Sequence, residues 1–289
     1  MSKNTSFNST KSINKQTEIS IFSTEKKLVM GILNLTKDSF YDGGKYKNKH
    51  KILHQVKKML DGGANIIDVG AQSTRPGAQK INAEKELNSL IPTIKLLKKT
   101  FPDIVISIDT YWSKVAEECV KIGADIINDI SAGELDAQMF DTIASLQVPY
   151  IIMHMKGNPQ NMQLNPEYKD VTEEIVLFFK EKIKKLEKKG VKDIIIDPGF
   201  GFGKTIEHNF KLLNNLNEFR KLKKPILIGL SRKSMIYNLL KQEPKDALNG
   251  TSIANTIALV NGANILRVHD VKEAVECLKI TNFTFKENQ

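Results

Sequence analysis

A chain of 289 residues with 40% hydrophobic content is long enough for one large core or two small ones, and no stretch of it is long and apolar enough to span a membrane. The formal net charge of +10 comes mostly from lysines alternating with glutamates on helix-like faces, as in residues 180–189. There is no aromatic-interleaved basic patch and no zinc-finger spacing, so neither nucleic acid nor membrane is expected as a partner.

Cys119 and Cys277 form no Cys-x-x-Cys pair and sit at helical spacing from Val115 and Ala274. They read as small buried hydrophobes of a reducing, cytoplasmic compartment. The N-terminus lacks the apolar core of a signal peptide.

Residues 1–22 are rich in Ser, Asn, Thr and Lys and are expected to form a disordered polar tail. From 23 to 289 strand-like and helix-like patterns alternate as one unit. The strand runs are 28–34, 66–70, 105–110, 126–130, 150–155, 194–197, 226–231 and 265–269. They are apolar rather than alternating, the mark of strands covered on both faces. Between them lie amphipathic helices, such as Leu87, Leu90, Ile91, Ile94 and Leu97, or Ile175, Phe178, Phe179, Ile183 and Leu186. Gly62-Gly63, Gly123, Gly190 and Gly262 follow helical runs, where C-caps belong. Eight such units in roughly 260 residues predict an α/β fold, a single (β/α)8 TIM barrel. A doubly wound open sheet is the alternative that periodicity leaves open.

Residues 194–205, Ile-Ile-Ile-Asp-Pro-Gly-Phe-Gly-Phe-Gly-Lys-Thr, carry an apolar strand into a glycine-spaced loop. The Gly-Lys-Thr suggests a nucleotide-binding P-loop, but that pattern needs glycine where Pro198 stands. Gly199, Gly201 and Gly203 also miss the dinucleotide-binding spacing.

The predicted strands end on Asn34, Gly70, Asp109, Asn128-Asp129, Met153-His154, Asp197, Ser231-Arg232-Lys233-Ser234 and Arg267 with His269. In a barrel these ends share the catalytic face. Asp129 and Ser131 are expected to be caps. Asp109, Asn128, Asp197 and Lys233 suit a planar nitrogen heterocycle, with Met153 and Phe202 as apolar walls. Arg267, His269 and Asn34 suit phosphate oxygens, and the N–H of Ser234, at a helix start, suits a carboxylate. His50 and His54, spaced i, i+4 without the glutamate of a zinc protease, read as surface residues. No Ser–His–Asp set with a nucleophile elbow is present, so covalent catalysis is not expected.

Residues 30–40, 73–77, 107–110, 197–205, 229–234 and 267–270 together resemble the dihydropteroate synthases, and the match runs in order from about residue 28 to 278. The resemblance implies a homodimeric barrel that uses Mg²⁺ and is inhibited by sulfonamides. Its substrates would be 6-hydroxymethyl-7,8-dihydropterin pyrophosphate and p-aminobenzoate, its products 7,8-dihydropteroate and pyrophosphate. It implies Asp109, Asn128, Asp197 and Lys233 on the pterin, and Asn34, Arg267 and His269 on the pyrophosphate, with Asn34 near Mg²⁺. Phe40, Thr74, Arg75, Pro76 and Ser234 look like the p-aminobenzoate site. Asp38 looks like the residue that orders the first loop, and joins Asp109, Asp197 and Lys233 as catalytic. The family's SN1-like reaction needs water excluded, a task for loops 36–44 and 71–78. Lys37, where proline is usual, and Gln72, where glutamate is usual, depart from the pattern. The rivals are a pterin-dependent methyltransferase, a basic nucleic-acid binder and an inactive barrel, though no signature residue is lost.

Overall fold

The computed structural model describes residues 23–35, 45–72, 81–157, 162 and 166–285. Runs of Ile, Val and Leu that are apolar at every position can form strands only where both faces are covered. Eight of them do so: β1 (Leu28–Asn34), β2 (Ile66–Gly70), β3 (Ile106–Asp109), β4 (Ile126–Asp129), β5 (Tyr150–Met153), β6 (Ile194–Asp197), β7 (Leu227–Ile228) and β8 (Ile265–Val268). All pair in parallel in the order β6-β5-β4-β3-β2-β1-β8-β7. The two ends of this row meet. Ile196 bridges Ile226 in parallel, and the Ile196 N–H donates to the Pro225 carbonyl at 3.0 Å. The sheet therefore closes, which decides for the barrel over an open doubly wound sheet.

Helices follow the strands on the outside: α1 (Lys45–Asp61), α2 (Ala83–Thr100), α3 (Ser113–Lys121), α4 (Met139–Leu146), α5 (Val171–Lys188), α6 (Ile206–Asn214), α7 (Ser234–Leu239), α8 (Leu248–Val260) and α9 (Val271–Thr284). A 3₁₀ turn at Leu216–Leu222 leads into β7, and both α7 and α8 follow that strand. Polar side chains fix the starts. Asn82 accepts the Lys85 N–H at 3.0 Å ahead of α2, and Asp170 accepts from the N–H of Thr172 and Glu173 ahead of α5.

Strand alternation divides the core into two layers. Val29, Ile67, Ile106, Ile127, Ile152, Ile196 and Leu266 face the helices. Leu28, Met30, Ile66, Ile126, Ile151, Ile195, Leu227 and Ile265 fill the inside of the barrel. Several strands stop sooner than their apolar runs suggest. The last residues of the runs at 105–110, 126–130, 150–155, 226–231 and 265–269 leave the ladder and turn into the loops above it. That departure is greatest after Ile228, where Arg232 sits at φ 53°.

Candidate active site at the carboxyl end of the barrel

Two residues beyond each inner aliphatic, the same face of the strand points inward again, one layer higher. There the chemistry changes. Ile66 is followed by Asp68, Ile126 by Asn128, Ile151 by Met153, Ile195 by Asp197 and Ile265 by Arg267. The register sets them side by side: Asp109 lies opposite both Gly70 and Asn128, and Met153 lies opposite Asp197. The inner parity thus delivers the predicted strand-end residues Asp109, Asn128, Met153, Asp197 and Arg267 to one mouth.

Arg267 ties two acids together. Its Nε donates to Asp68 Oδ2 at 2.7 Å and its Nη2 to Asp109 Oδ2 at 2.6 Å. Asn128 Nδ2 reaches the same Asp68 oxygen at 3.1 Å. Burial pushes the Asp109 carboxyl up to about 7, against the pull of Arg267. Burial also works against the charge on Arg267, but Asp68 and Asp109 outweigh it and hold the guanidinium above its usual range. Asp68 is fully buried, and its Oδ1 has no hydrogen-bond partner among the described residues.

Across the mouth, Asp197 Oδ1 accepts the Gly199 N–H at 2.8 Å. Burial raises the Asp197 carboxyl, while Lys233 opposes the rise. Burial lowers the Lys233 ammonium to about 8, with Asp197 working the other way. Lys233 Nζ donates to the Phe200 carbonyl and lies 4.9 Å from the centre of the Phe202 ring. Met153 packs with Tyr111, Ile130, Met155 and Met162, and Phe202 packs against that cluster. The mouth thus carries acids on neighbouring strands, an ammonium beside Asp197, and the apolar side chains of Met153 and Phe202.

The glycine-spaced loop after β6 is built for close backbone packing. Gly199 has φ 71°, and a Cβ there would stand 1.9 Å from the His154 carbonyl oxygen. Lys204, the lysine of Gly-Lys-Thr, points into its own loop rather than toward a ligand. Its buried ammonium donates to the carbonyls of Gly199 at 2.8 Å and Phe202 at 3.0 Å and sits 3.1 Å from His154 Nδ1. Thr205 caps α6 by accepting the His208 N–H at 3.1 Å.

The rim holds the residues expected to meet phosphate. Asn34 ends β1, half-buried. His269 follows β8, with Nδ1 3.1 Å from Ser231 Oγ, which also accepts the His269 N–H at 3.2 Å. Arg232 braces this corner through Nε to Asp270 Oδ2 at 2.8 Å, and Ser234 opens α7 beside it. Asp129 is a loop anchor rather than the helix cap expected of it and Ser131: it accepts from the Ser131 and Gly133 N–H groups and from the Tyr150 hydroxyl, and the next helix starts only at Met139. Burial raises the Cys119 thiol to about 12, and both cysteines are buried. Asp38, Phe40, Thr74, Arg75 and Pro76, with the tail 1–22 and most of both expected lids, lie outside the described residues.

Two residues that hold the site together escape a reading of strand ends. Asp68 sits in mid-strand, and the available signal was an acid inside an apolar run. Lys204 was visible only as part of a misleading nucleotide-binding spelling. Among the described residues no group of three or more His, Cys, Asp or Glu side chains is placed to hold a metal ion.

Residues 30–269 match the family model described as pterin binding enzyme. The dihydropteroate synthase of Escherichia coli (strain K12) is 44% identical over 266 residues, which cover 90% of this chain and 93% of that one. Among solved structures, the Yersinia pestis dihydropteroate synthase in a sulfonamide drug complex superposes with a TM-score of 0.85 at 39% identity, covering 91% of this chain and 96% of its own. The Xanthomonas albilineans dihydropteroate synthase in complex with 7,8-dihydropteroate gives 0.80 at 33% identity, covering 92% and 96%.

Proposed function

The chain belongs to the dihydropteroate synthases of the pterin-binding enzyme family, and we propose that the mouth of its barrel performs their transfer as follows. The pterin ring of 6-hydroxymethyl-7,8-dihydropterin pyrophosphate lies in the slot between Met153 and Phe202. Asp109, Asn128 and Asp197 accept from its N–H groups, and Lys233 donates to a ring carbonyl or nitrogen. The observation that carries this reading is the convergence of three acceptors and one ammonium at one mouth of the barrel, with Met153 and Phe202 beside them.

The bond between the methylene carbon and the pyrophosphate oxygen breaks, and its electron pair leaves with the pyrophosphate. Positive charge develops on the pterin methylene, beside the carboxylates of Asp109 and Asp197. Negative charge develops on the leaving group, toward the rim with Arg267, His269 and Asn34. Arg267 uses Nε and Nη2 on Asp68 and Asp109, which leaves Nη1 for a phosphate oxygen. The neutral amine of p-aminobenzoate then supplies its lone pair to the methylene carbon, and the acidic ammonium that results gives its proton to the departing pyrophosphate. Fixed charges set in place before reaction do the work, with no protein nucleophile and no strong base. The helix start at Ser234 is offered to the p-aminobenzoate carboxylate, with Phe40, Thr74, Arg75 and Pro76 as the rest of that site. Asp38 and the loops 36–44 and 71–78 are assigned to excluding water, and a sulfonamide is expected to compete with p-aminobenzoate.

Mg²⁺ is assigned to this rim. Asn34 brings a hard amide oxygen, and Mg²⁺ keeps several waters and is held largely through substrate phosphates. Asn34 would hold it, and the bound ion would neutralise charge on the departing pyrophosphate.

A homodimer is supported by an apolar face on two adjacent outer helices. Ile253, Ile257 and Val260 of α8 and Ile280 and Phe283 of α9 are all exposed, Phe283 to 85%. No helix among the described residues is long and apolar enough to cross a membrane. The buried thiols fit a cytoplasmic enzyme.

The test is direct. Purified protein with both substrates and Mg²⁺ is expected to release pyrophosphate only when p-aminobenzoate is present. Release that ignores p-aminobenzoate, or no release, would refute the assignment.

A further inference from the structure

We propose that Asp68 is a positioning residue that decides which atom of Asn128 the pterin meets. The inference rests on the mouth being a pterin pocket. Asp68 lies below that pocket, fully buried in the middle of β2. A buried acid in an apolar strand is costly unless its oxygens are used. Asp68 uses one of them twice, for Arg267 Nε at 2.7 Å and Asn128 Nδ2 at 3.1 Å.

A carboxylate paired with a guanidinium accepts and does not donate. An asparagine amide has a donor side and an acceptor side of nearly equal shape, and only its hydrogen bonds settle which way it lies. Asp68 therefore settles it: Nδ2 faces down to the acid, and Oδ1 is left on the other side. No described residue donates to that Oδ1. Asp109 stands next to Asn128 in the register, so this wall of the slot offers acceptors side by side. The ammonium of Lys233 lies near Asp197, on another strand. A heterocycle with N–H groups on one edge and a carbonyl elsewhere fits this pattern in one orientation. An edge of bare ring nitrogens at Asn128 would meet lone pairs. Asp68 thus imposes the donor-reading polarity of the wall without touching the ligand.

Asp68→Leu isolates the idea, since leucine keeps a similar volume and offers Asn128 no oxygen. Asp68→Asn is the control: its amide oxygen can stand where Oδ2 stands and accept from both Arg267 Nε and Asn128 Nδ2, with its NH₂ in the place of Oδ1. Binding of 6-hydroxymethyl-7,8-dihydropterin is measured by calorimetry for wild type, D68N, D68L, N128A and D68L/N128A. D68N is expected to bind within about threefold of wild type, because the acceptor that holds Asn128 is kept. D68L is expected to weaken binding about 10-fold or more, because Asn128 is no longer held with its acceptor toward the ring. D68L/N128A is expected to bind no worse than N128A.

D68L binding like wild type, D68N losing as much affinity as D68L, or multiplied losses in D68L/N128A would each overturn the proposal. Multiplied losses would mean that Asp68 acts through Arg267. A wild-type chain that does not bind the pterin overturns the pocket assignment instead, and the inference with it. Should D68L not fold, the side-chain amide protons of Asn128 in the wild type decide. Held by Asp68, they are expected to exchange slowly with water and to keep that rate when pterin is added. Fast exchange without ligand that slows on pterin binding would overturn the proposal.

Discussion

Gly70 and Asp109 face each other across the β2–β3 ladder, and a Cβ at Gly70 would stand 3.3 Å from the Cβ of Asp109 and 3.6 Å from its Oδ2. The glycine is there for room. Gly70→Ala asks Asp109 to give way by a few tenths of an ångström, and Asp109 is held by Arg267 at 2.6 Å. The expected result is a folded protein, Tm within about 3 °C of wild type, with roughly tenfold weaker pterin affinity. Unchanged affinity would show that the position of Asp109 is not critical.

The loop after β6 makes a harsher test. At Gly199 a side chain meets the His154 carbonyl at 1.9 Å, and φ 71° is itself strained for any residue with a Cβ. Backbone cannot swing aside as a side chain can. Gly199→Ala is expected to cost about 2–4 kcal/mol and to lower Tm by about 5 °C or more. It should also weaken pterin binding, because Asp197 is oriented by the Gly199 N–H. Thermal melts and calorimetry check the two effects separately.

The barrel was legible in the sequence because buried strands and amphipathic helices leave periodic traces. The residues assigned to the ligand were legible because they cluster at strand ends, and parity carried Asn128, Asp197 and Arg267 to the same mouth. What supports them was not. Asp68 is placed by pairing with Arg267 and Asn128, residues 199 and 60 positions away. Only the closed register brings them together. Lys204 illustrates the opposite error, a local spelling whose lysine binds its own loop's carbonyls. Closure of the sheet through Ile196 and Ile226 is also a tertiary fact, one that periodicity alone left undecided.

Glu86 of α2 predicts a pH dependence of stability. Its side chain is buried, and neither carboxylate oxygen has a hydrogen-bond partner among the described residues. Burial pushes it up to about 8, far above the usual carboxylate range, with the Thr110 side chain opposing and nearby Asp109 adding to the rise. The folded state thus holds a proton that the unfolded state gives up. Stability from this group is fully present below about pH 4.5 and is lost as pH rises toward about 8. Glu86→Gln removes the loss. The variant is expected to melt at or slightly below wild type at pH 5 and above it at pH 9, a swing on the order of 3 kcal/mol. Asp109, raised to about 7, leaves a smaller slope of the same sign in both proteins. Parallel Tm–pH curves for the two would rule out Glu86 as the source.

Arg267 has two duties, and its substitutions should separate them. Arg267→Ala strands Asp68 and Asp109 without their cation, and breaking a buried pair from one side costs about 3–5 kcal/mol. Its Tm is therefore expected to fall, and its binding data would mix folding with recognition. Arg267→Lys keeps the charge but loses the planar fork that reaches Asp68 and Asp109 and has a third nitrogen for the phosphate. The lysine variant is expected to lose some affinity for 6-hydroxymethyl-7,8-dihydropterin through Asp109, and at least about tenfold more for its pyrophosphate ester, since a phosphate oxygen loses a fixed charge-assisted donor. Equal losses for the two ligands would move Arg267 from the leaving group to the ring. In that case His269, held by Ser231 at 3.1 Å, would be left as the described rim residue with an ionisable side chain for the phosphate.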